Sequence, residues 1–172
     1  MAKDIKTKLS TILLALRDRI IERKVFPAER CFLSLRMNVP FHAQADSYCI
    51  LLPLAQVVDV DNFDGGSRYN ALIHGRINTY VRTRLALDQA YQDHHSLTDV
   101  SAGLLDRLHL LYDALYSFDC VQASGDTILE EPMRLVLANE PRKDYDNPEW
   151  LEAMAEWEIS YRLDLSISTA DQ

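Results

Sequence analysis

Apolar and polar residues alternate over one long stretch in the middle of the chain. From residue 69 to residue 85 the odd positions are mostly apolar, and the even positions are mostly polar or basic. An alternation with a period of two indicates a β-strand with one face in the core. We predict such a strand over residues 68–85, with Ile77 facing the core. The outer face then carries four basic residues: Arg68, Arg76, Arg82 and Arg84.

The end of the chain repeats this pattern. Trp157 and Ile159 belong to an apolar row that alternates with a polar row containing Glu156 and Glu158. The alternation predicts a second long strand that extends to residue 167, with Ile159 in the core. Its beginning is open between two interpretations. Residues 147–149, Asn-Pro-Glu, are also typical of the start of a helix, which would then continue through Met154.

Apolar residues at helical spacing predict two helices. The first covers residues 4–24, begins at Asp4 and carries its apolar residues on one face. The second has a leucine stripe over residues 104–115, with Thr98 or Ser101 as its candidate N-cap.

Shorter elements complete the order. Three further strands are predicted, at residues 31–36, 48–54 and 133–137. Residues 37–46 form a predicted loop, and 59–66 a turn, because the turn ends in Asp-Gly-Gly. Consecutive strands with few helices favour an α+β fold, in which an N-terminal helix and a second helix pack on a mostly antiparallel sheet. The length fits a single domain over residues 1–172.

The length of the middle strand bears on assembly. A compact chain of this size is roughly 40 Å across, whereas residues 68–85 fully extended would span roughly 60 Å. Two outcomes are open. The strand either bends, with a bulge at residues 74–75 (His-Gly), or projects as a β-ribbon arm that a neighbouring subunit must cover.

The net charge and the positions of the cysteines limit the classes of protein to which this chain can belong. The formal net charge is −8, which argues against non-specific wrapping of nucleic acid, because that requires clustered Lys and Arg. Cys31, Cys49 and Cys120 lie in or beside apolar runs without a CxxC spacing, so we expect buried, reduced thiols. The chain has no signal-peptide pattern and no apolar run long enough to span a bilayer. We therefore expect a soluble protein that stays in the compartment where it is made.

Motifs of enzymatic chemistry are absent from the sequence. It contains no phosphate-binding glycine loop and no nucleophile elbow. The cluster Asp93-His94-His95, with Asp88 nearby, resembles part of a metal site but lacks a third ligand at diagnostic spacing. We predict that the protein is not an enzyme, and we assign no catalytic, cofactor-binding or metal-binding residue.

The basic row on the middle strand has two interpretations. Nucleic-acid binding is the weaker one, because Tyr80 is the aromatic residue available nearby for stacking. The acidic row at the end of the chain is a simpler partner, since pairing of the two long strands would create cross-strand ion pairs. The candidate contacts to another subunit or to a partner protein are Arg68, Arg76, Arg82, Arg84, Glu156 and Glu158.

Several segments resemble one known family. The run GGSR at residues 65–68, which opens the long strand through residues 76–82, is similar to the tail-terminator and tail-completion proteins of tailed bacteriophages. Residues 97–105 with the helix that follows, and the closing segment 157–165, fit the same pattern. The chain is longer than compact members of that family, with the extra length expected in residues 37–47 and 86–100.

The resemblance implies a subunit that forms a ring, commonly six-fold, at the end of the tail tube. Such rings end tube polymerisation and form the head–tail joining surface. The implied partners are further copies of the chain (a hexamer), the tail tube protein and the head connector protein. DNA passes through the pore without specific binding, which the acidic net charge fits, and no membrane takes part. The implied location is the virion, assembled in the bacterial host cytoplasm.

Two alternatives stay open at this point. One is a subunit of another phage or secretion-machine component, such as a head–tail connector, which shares the ring architecture. The other belongs to a different class: a small α+β enzyme or ligand-binding dimer with an unrecognised site. The mass of the protein in solution distinguishes a ring from a dimer.

Overall fold

The computed structural model describes residues 7–34, 47–61, 68–84, 103–121, 125–143 and 150–166. Two α-helices and six strands lie in these ranges. In chain order they are α1 (Lys8–Glu22), a 3-10 turn (Ala28–Arg30), β1 (Cys31–Leu33), β2 (Ser47–Asp61), β3 (Arg68–Arg84), α2 (Leu104–Leu115), β4 (Glu131–Ala138), β5 (Arg142–Lys143) and β6 (Trp150–Ser166).

The strands form one sheet in the order β1-β2-β3-β6-β4, and the short β5 also pairs with β6. β1 runs parallel to β2, and all the other neighbours are antiparallel. The predicted α+β class with a mostly antiparallel sheet is therefore confirmed. None of the helices in the described ranges is long and apolar enough to cross a membrane.

β3 and β6 are the two predicted long strands, and they pair with each other. Their register is continuous from Arg68 opposite Ser166 to Arg84 opposite Trp150. β6 is thus already a strand at Trp150, and the alternative of a helix running through Met154 is wrong. The reason lies in the tertiary structure. β6 has strand neighbours on both sides, and a local helix in its place would leave the backbone groups of those strands without hydrogen-bond partners.

The predicted bulge at His74-Gly75 is also wrong. β3 keeps an unbroken register with β6 there, and the irregularity lies in β2, between Pro53 and Gln56. A proline has no N–H to donate to a ladder, so the disturbance falls on the strand that contains one. The core-facing side chains of β3 are buried from Ala71 onward, so that part is not a free ribbon.

Both helices pack on the same face of the sheet and form the core with it. Ile77 and Ile159 are 0% and 1% exposed, which confirms the predicted phase of both long strands. The helices contribute apolar stripes to this core: Ile12, Leu13, Leu16 and Ile20 from α1, and Leu104, Leu108, Leu111 and Leu115 from α2.

The helix starts differ from those predicted. The N-cap of α1 is Thr7 instead of Asp4, and its side chain accepts a hydrogen bond from the Ser10 N–H. The N-cap position of α2 is Gly103, without a side-chain cap. The two residues predicted for that role, Thr98 and Ser101, lie outside the described residues, as do residues 1–6.

Strand ends also depart from the predictions. β2 continues to Asp61, so the prediction that a turn begins at residue 59 is wrong: Asp59 to Asp61 pair with Leu72 to Asn70 of β3. β1 ends at Leu33, three residues before the predicted end at residue 36. β4 includes Pro132, which an edge strand tolerates. The predicted loop 37–46, the rest of the turn and residues 85–100 lie outside the described residues.

Candidate assembly surface: the outer face and the edges of the sheet

The outer face of the sheet is the face opposite the helices, and it carries the predicted basic row. Arg76 and Arg84 are exposed there. Arg82 is not, because it is only 5% exposed, and Asn78 is 6% exposed. The predicted strand with a polar outer face exposed to solvent is therefore wrong at these two positions in its exposure, although both side chains are polar. The side chain of Arg68 is not among those that the structure describes.

Ion pairs cross the middle of the outer face. Arg76 lies opposite Glu158 in the ladder but reaches diagonally to Glu156, with 2.5 Å between Nη1 and Oε1. Glu158 instead accepts from Arg134 of β4, at 3.1 Å. The prediction of cross-strand ion pairs between the two long strands is confirmed for Arg76 and Glu156. Exposed pairs of this kind contribute about 0–1 kcal/mol each.

A buried charge cluster lies at one end of the outer face. The Arg82 Nε is 3.4 Å from Glu152 Oε2, and its Nη1 donates to the Tyr48 hydroxyl at 3.0 Å. The guanidinium also lies 5.8 Å from the ring centroid of Tyr48 and 5.9 Å from that of Trp150. Arg142 of β5 adds a second, more exposed cation to Glu152 at 3.5 Å. The cluster connects four strands: β2, β3, β5 and β6.

The electrostatics of the cluster follow from burial. Burial raises the pKa of Tyr48, and the neighbouring Arg82 guanidinium opposes that shift. The tyrosine therefore stays a neutral hydroxyl that accepts from Arg82. Sequence reasoning missed Glu152, although it shares the parity of Glu156 and Glu158. The sequence around residue 152 is compatible with either a helix or a strand, so the alternation did not identify Glu152 as a member of the acidic row.

A polar groove of about 330 Å³ lies where the outer face meets the start of β4. Arg162 and Glu130 form an ion pair across it at 3.1 Å, and His74 lies on its wall. Arg134 is shared between Glu158, at 3.1 Å, and Glu131, at 3.5 Å. The groove is thus lined by carboxylates and arginines that are already in contact with one another.

One edge of the sheet is formed by β2. β1 covers only the stretch Cys49–Leu51 of that edge. Within the described ranges, no strand pairs with the same side of β2 from Leu52 to Asp61. Val57 and Val58 on this stretch are 68% and 55% exposed. Adjacent residues of a strand point to opposite faces, so both faces of the strand present apolar surface here.

The opposite edge of the sheet is formed by β4. It is the last strand of the order, and its outer side has no strand partner among the residues that the structure describes. Val136 and Leu137 on this strand are 46% and 47% exposed. The backbone of β4 is covered at Met133, whose N–H donates to the Phe118 carbonyl and whose carbonyl accepts from the Ser117 N–H, each at 3.1 Å. The two edges of one sheet therefore both carry exposed aliphatic side chains.

The outer side of α2 carries a third apolar surface. Leu105, Leu110 and Tyr116 are 43%, 44% and 66% exposed. Leu110 and Tyr116 line a shallow hollow of about 390 Å³ together with His109, Tyr112 and Asp113. Its Tyr116 end adjoins the β4 edge of the sheet, because the next residue, Ser117, donates its N–H to the Met133 carbonyl at 3.1 Å.

The described ranges contain potential metal ligands and three thiols. No group of three or more His, Cys, Asp or Glu residues there could hold a metal ion. The cluster Asp93-His94-His95 lies outside the described residues. Cys31 and Cys49 face each other across β1 and β2, and all three cysteines are buried free thiols, as predicted. A hydrogen bond with Cys31 and burial raise the pKa of Cys49 well above its ordinary value.

Comparison with known proteins adds no relative. No protein-family model and no curated protein matches this sequence.

Proposed function

We propose that this chain is a structural subunit of a phage or prophage tail. In this proposal, copies of it assemble as a ring at the end of the tail tube, end tube polymerisation and form the head–tail joining surface. The observation that supports it best is the exposure of aliphatic side chains on both opposite edges of the same sheet, Val57 and Val58 on β2 and Val136 and Leu137 on β4.

Two different surfaces on opposite sides of a subunit favour head-to-tail contacts. Such contacts close into a ring when the rotation between neighbours permits, and otherwise form a filament. A two-fold dimer would need only one self-complementary surface. Proteins that stay monomeric usually blunt or charge their sheet edges. The aliphatic pairs at both edges are therefore better explained by neighbours on both sides.

The proposal also includes what the family resemblance implies for DNA, which would pass through the ring without specific binding, and the outer face supports this part. Arg76 and Arg134 are both held by carboxylates, Glu156 and Glu158. An arginine neutralised in this way contributes less to phosphate binding than a free cation does. The net charge of −8 repels DNA further. A pore lined by such a surface would let DNA pass.

The mass of the purified chain tests the proposal. We expect native mass spectrometry and negative-stain microscopy to show a closed ring, of six copies if the family resemblance holds. Added tail tube protein from the same genome should polymerise to shorter tubes with the ring at one end. A chain that stays monomeric at every concentration and leaves tube length unchanged would contradict the proposal. A species of two copies would favour the ligand-binding dimer.

A further inference from the structure

We infer that Cys31 and Cys49 are a redox pair, which a low-molecular-weight disulfide converts to a cystine that links β1 covalently to β2. The inference goes beyond the proposed function and does not depend on it. It follows from the register of the two strands, from the shared face of the two side chains and from the contacts that hold β1 in place.

The register of the sheet places the two cysteines side by side. β1 and β2 run parallel, and Cys31 lies directly opposite Cys49. Paired strands lie about 4.8 Å apart, and the Cα atoms of disulfide-bonded cysteines are usually roughly 4.4–6.8 Å apart. A disulfide between these two positions therefore needs no large movement of the backbone.

Both side chains project to the same face of the sheet. Residues directly opposite each other on paired strands share a face, and Cys31 and Cys49 are 2% and 0% exposed within the same apolar core. Each is a free thiol, and the Cys31 side chain is hydrogen-bonded to that of Cys49. The two thiols are thus in contact before any oxidation takes place.

The backbone of β1 is held at the level that this contact requires. The next two residues of β1 pair with Ile50 and Leu51 in the same register. The Arg17 Nε of α1 donates to the Cys31 carbonyl at 3.0 Å. Because the fold has already brought the two strands together, little further chain entropy is lost when the bond closes. The native structure therefore raises the effective concentration of one thiol at the other.

Thiol–disulfide exchange forms the bond. With oxidised glutathione as the reagent, one protein thiolate attacks a glutathione sulfur, which releases one reduced glutathione and leaves a mixed disulfide. The second protein thiolate attacks the protein sulfur of that mixed disulfide and releases the second glutathione. Two protons and two electrons pass from the protein to the two glutathione molecules. Because both cysteines are buried, the reagent reaches them when the chain opens.

The third cysteine of the chain provides a matched control. Cys120 is also a buried free thiol. It lies after α2, where its carbonyl accepts from the Ile128 N–H at 3.1 Å. The inference therefore predicts one specific bond among the possible pairings of the three cysteines.

Oxidation of the wild-type chain tests the inference directly. The chain is incubated with oxidised glutathione in moderate urea, which populates the open state, then returned to buffer, blocked with iodoacetamide and mapped by mass spectrometry. We expect a chain that has lost two hydrogens, a linked peptide that contains Cys31 and Cys49, and a blocked Cys120. Cys120→Ala should give the same bond, and Cys31→Ala should give none.

The stability of the oxidised chain shows whether the fold accommodates the bond. A disulfide that fits the native geometry stabilises the fold mainly by restricting the unfolded chain. We expect a higher urea midpoint after oxidation, which dithiothreitol reverses, and an unchanged circular dichroism spectrum. At one glutathione ratio, the proportion of oxidised to reduced chains should be at least roughly tenfold higher in buffer than in high urea, because folding aligns the thiols.

The outcomes are distinguishable from those that bear on the proposed function. A persistent mixed disulfide, a bond to Cys120 or a urea midpoint that does not rise would overturn the inference, whether or not the chain forms a ring. A chain that forms the bond between Cys31 and Cys49 but stays monomeric would support the inference and contradict the ring.

Discussion

Arg82 and Glu152 form an ion pair in which both side chains are less than a tenth exposed, with 3.4 Å between Nε and Oε2. Taking two charges out of water is costly, and attraction between them offsets that cost only when further groups satisfy both. Here Tyr48 accepts from the arginine and Arg142 approaches the carboxylate. The pair connects the central strand β3 to β6.

Replacement of Glu152 by Leu should destabilise the fold strongly. The change leaves the buried Arg82 without its carboxylate, which typically costs about 3–5 kcal/mol. Urea unfolding followed by circular dichroism measures the free energy. The matched control is Glu156→Leu, because its pair with Arg76 is far more exposed and should contribute about 0–1 kcal/mol. The double variant Arg82→Met/Glu152→Leu should recover most of the loss, and equal costs for Glu152→Leu and Glu156→Leu would contradict this account.

Replacement of Thr79 by Val should also cost stability, although the two side chains have the same shape. The Trp157 Nε1–H donates to Thr79 Oγ1 at 2.9 Å, and both side chains are 0% exposed. The valine would leave a buried indole N–H without its acceptor, which costs about 1–3 kcal/mol. Thermal unfolding measures the change. In a Trp157→Phe background the same Thr79→Val change should cost clearly less, and an unchanged cost there would refute the hydrogen-bond explanation.

A larger residue at Gly75 should disturb the centre of the sheet. A Cβ at this position would lie 3.3 Å from Ile159 Cγ1 and 3.5 Å from Gln56 Cγ. We expect Gly75→Val to destabilise the protein by about 1–3 kcal/mol through overpacking. Combining it with Ile159→Ala should give a smaller loss than the sum of the two single variants, because the alanine makes room. Strict additivity would show that the contact with Ile159 is not the cause.

The stability should fall at alkaline pH because of Cys49. Its raised pKa in the folded state means that its contribution to stability is fully present below the ordinary thiol value of 9.0. That contribution is lost as the pH rises through the folded value, because the unfolded thiol ionises first. Urea unfolding between pH 7 and pH 11 measures the slope, which Cys49→Ala should reduce. An identical slope in both proteins would contradict the assignment.

Thiol labelling offers an independent check on the same residue. Cys49 is 0% exposed, so a thiol reagent at pH 8 should label it only as fast as the chain unfolds. Added urea should then accelerate labelling in proportion to the unfolded fraction.

Local patterns were sufficient for the elements that turn one face toward the apolar core. The leucine stripe of α2 and the alternation in β3 both reflect a single buried face, and a period of 3.6 or of two residues records that face directly in the sequence. The buried state of Ile77 and Ile159 followed from the same rule. The pairing of Arg76 with the acidic row of β6 was predictable too, because a long strand of opposite charge was available.

Other features depended on neighbouring strands, which cannot be identified from a local sequence pattern. The start of β6 at Trp150 was decided by β3 and β5 on its two sides. The extension of β2 to Asp61 was decided by the ladder with β3, which overrode an apparent turn. The bulge opposite Gly75 lies in β2, directly after Pro53, because a proline cannot donate to the ladder and is therefore found at strand edges and bulges.

The features of the candidate assembly surface can be separated in the same way, into those that local patterns predict and those that depend on long-range pairing. The sequence by itself determined that this is an α+β chain with two long strands, with opposite charges on their outer rows. Only the tertiary structure decided that Arg82 is buried with Glu152, whereas Arg76 stays at the surface. It alone placed Val57 and Leu137 on opposite edges of one sheet. The physical reason is that alternation specifies which face a side chain joins, whereas strand order and edges come from long-range pairing.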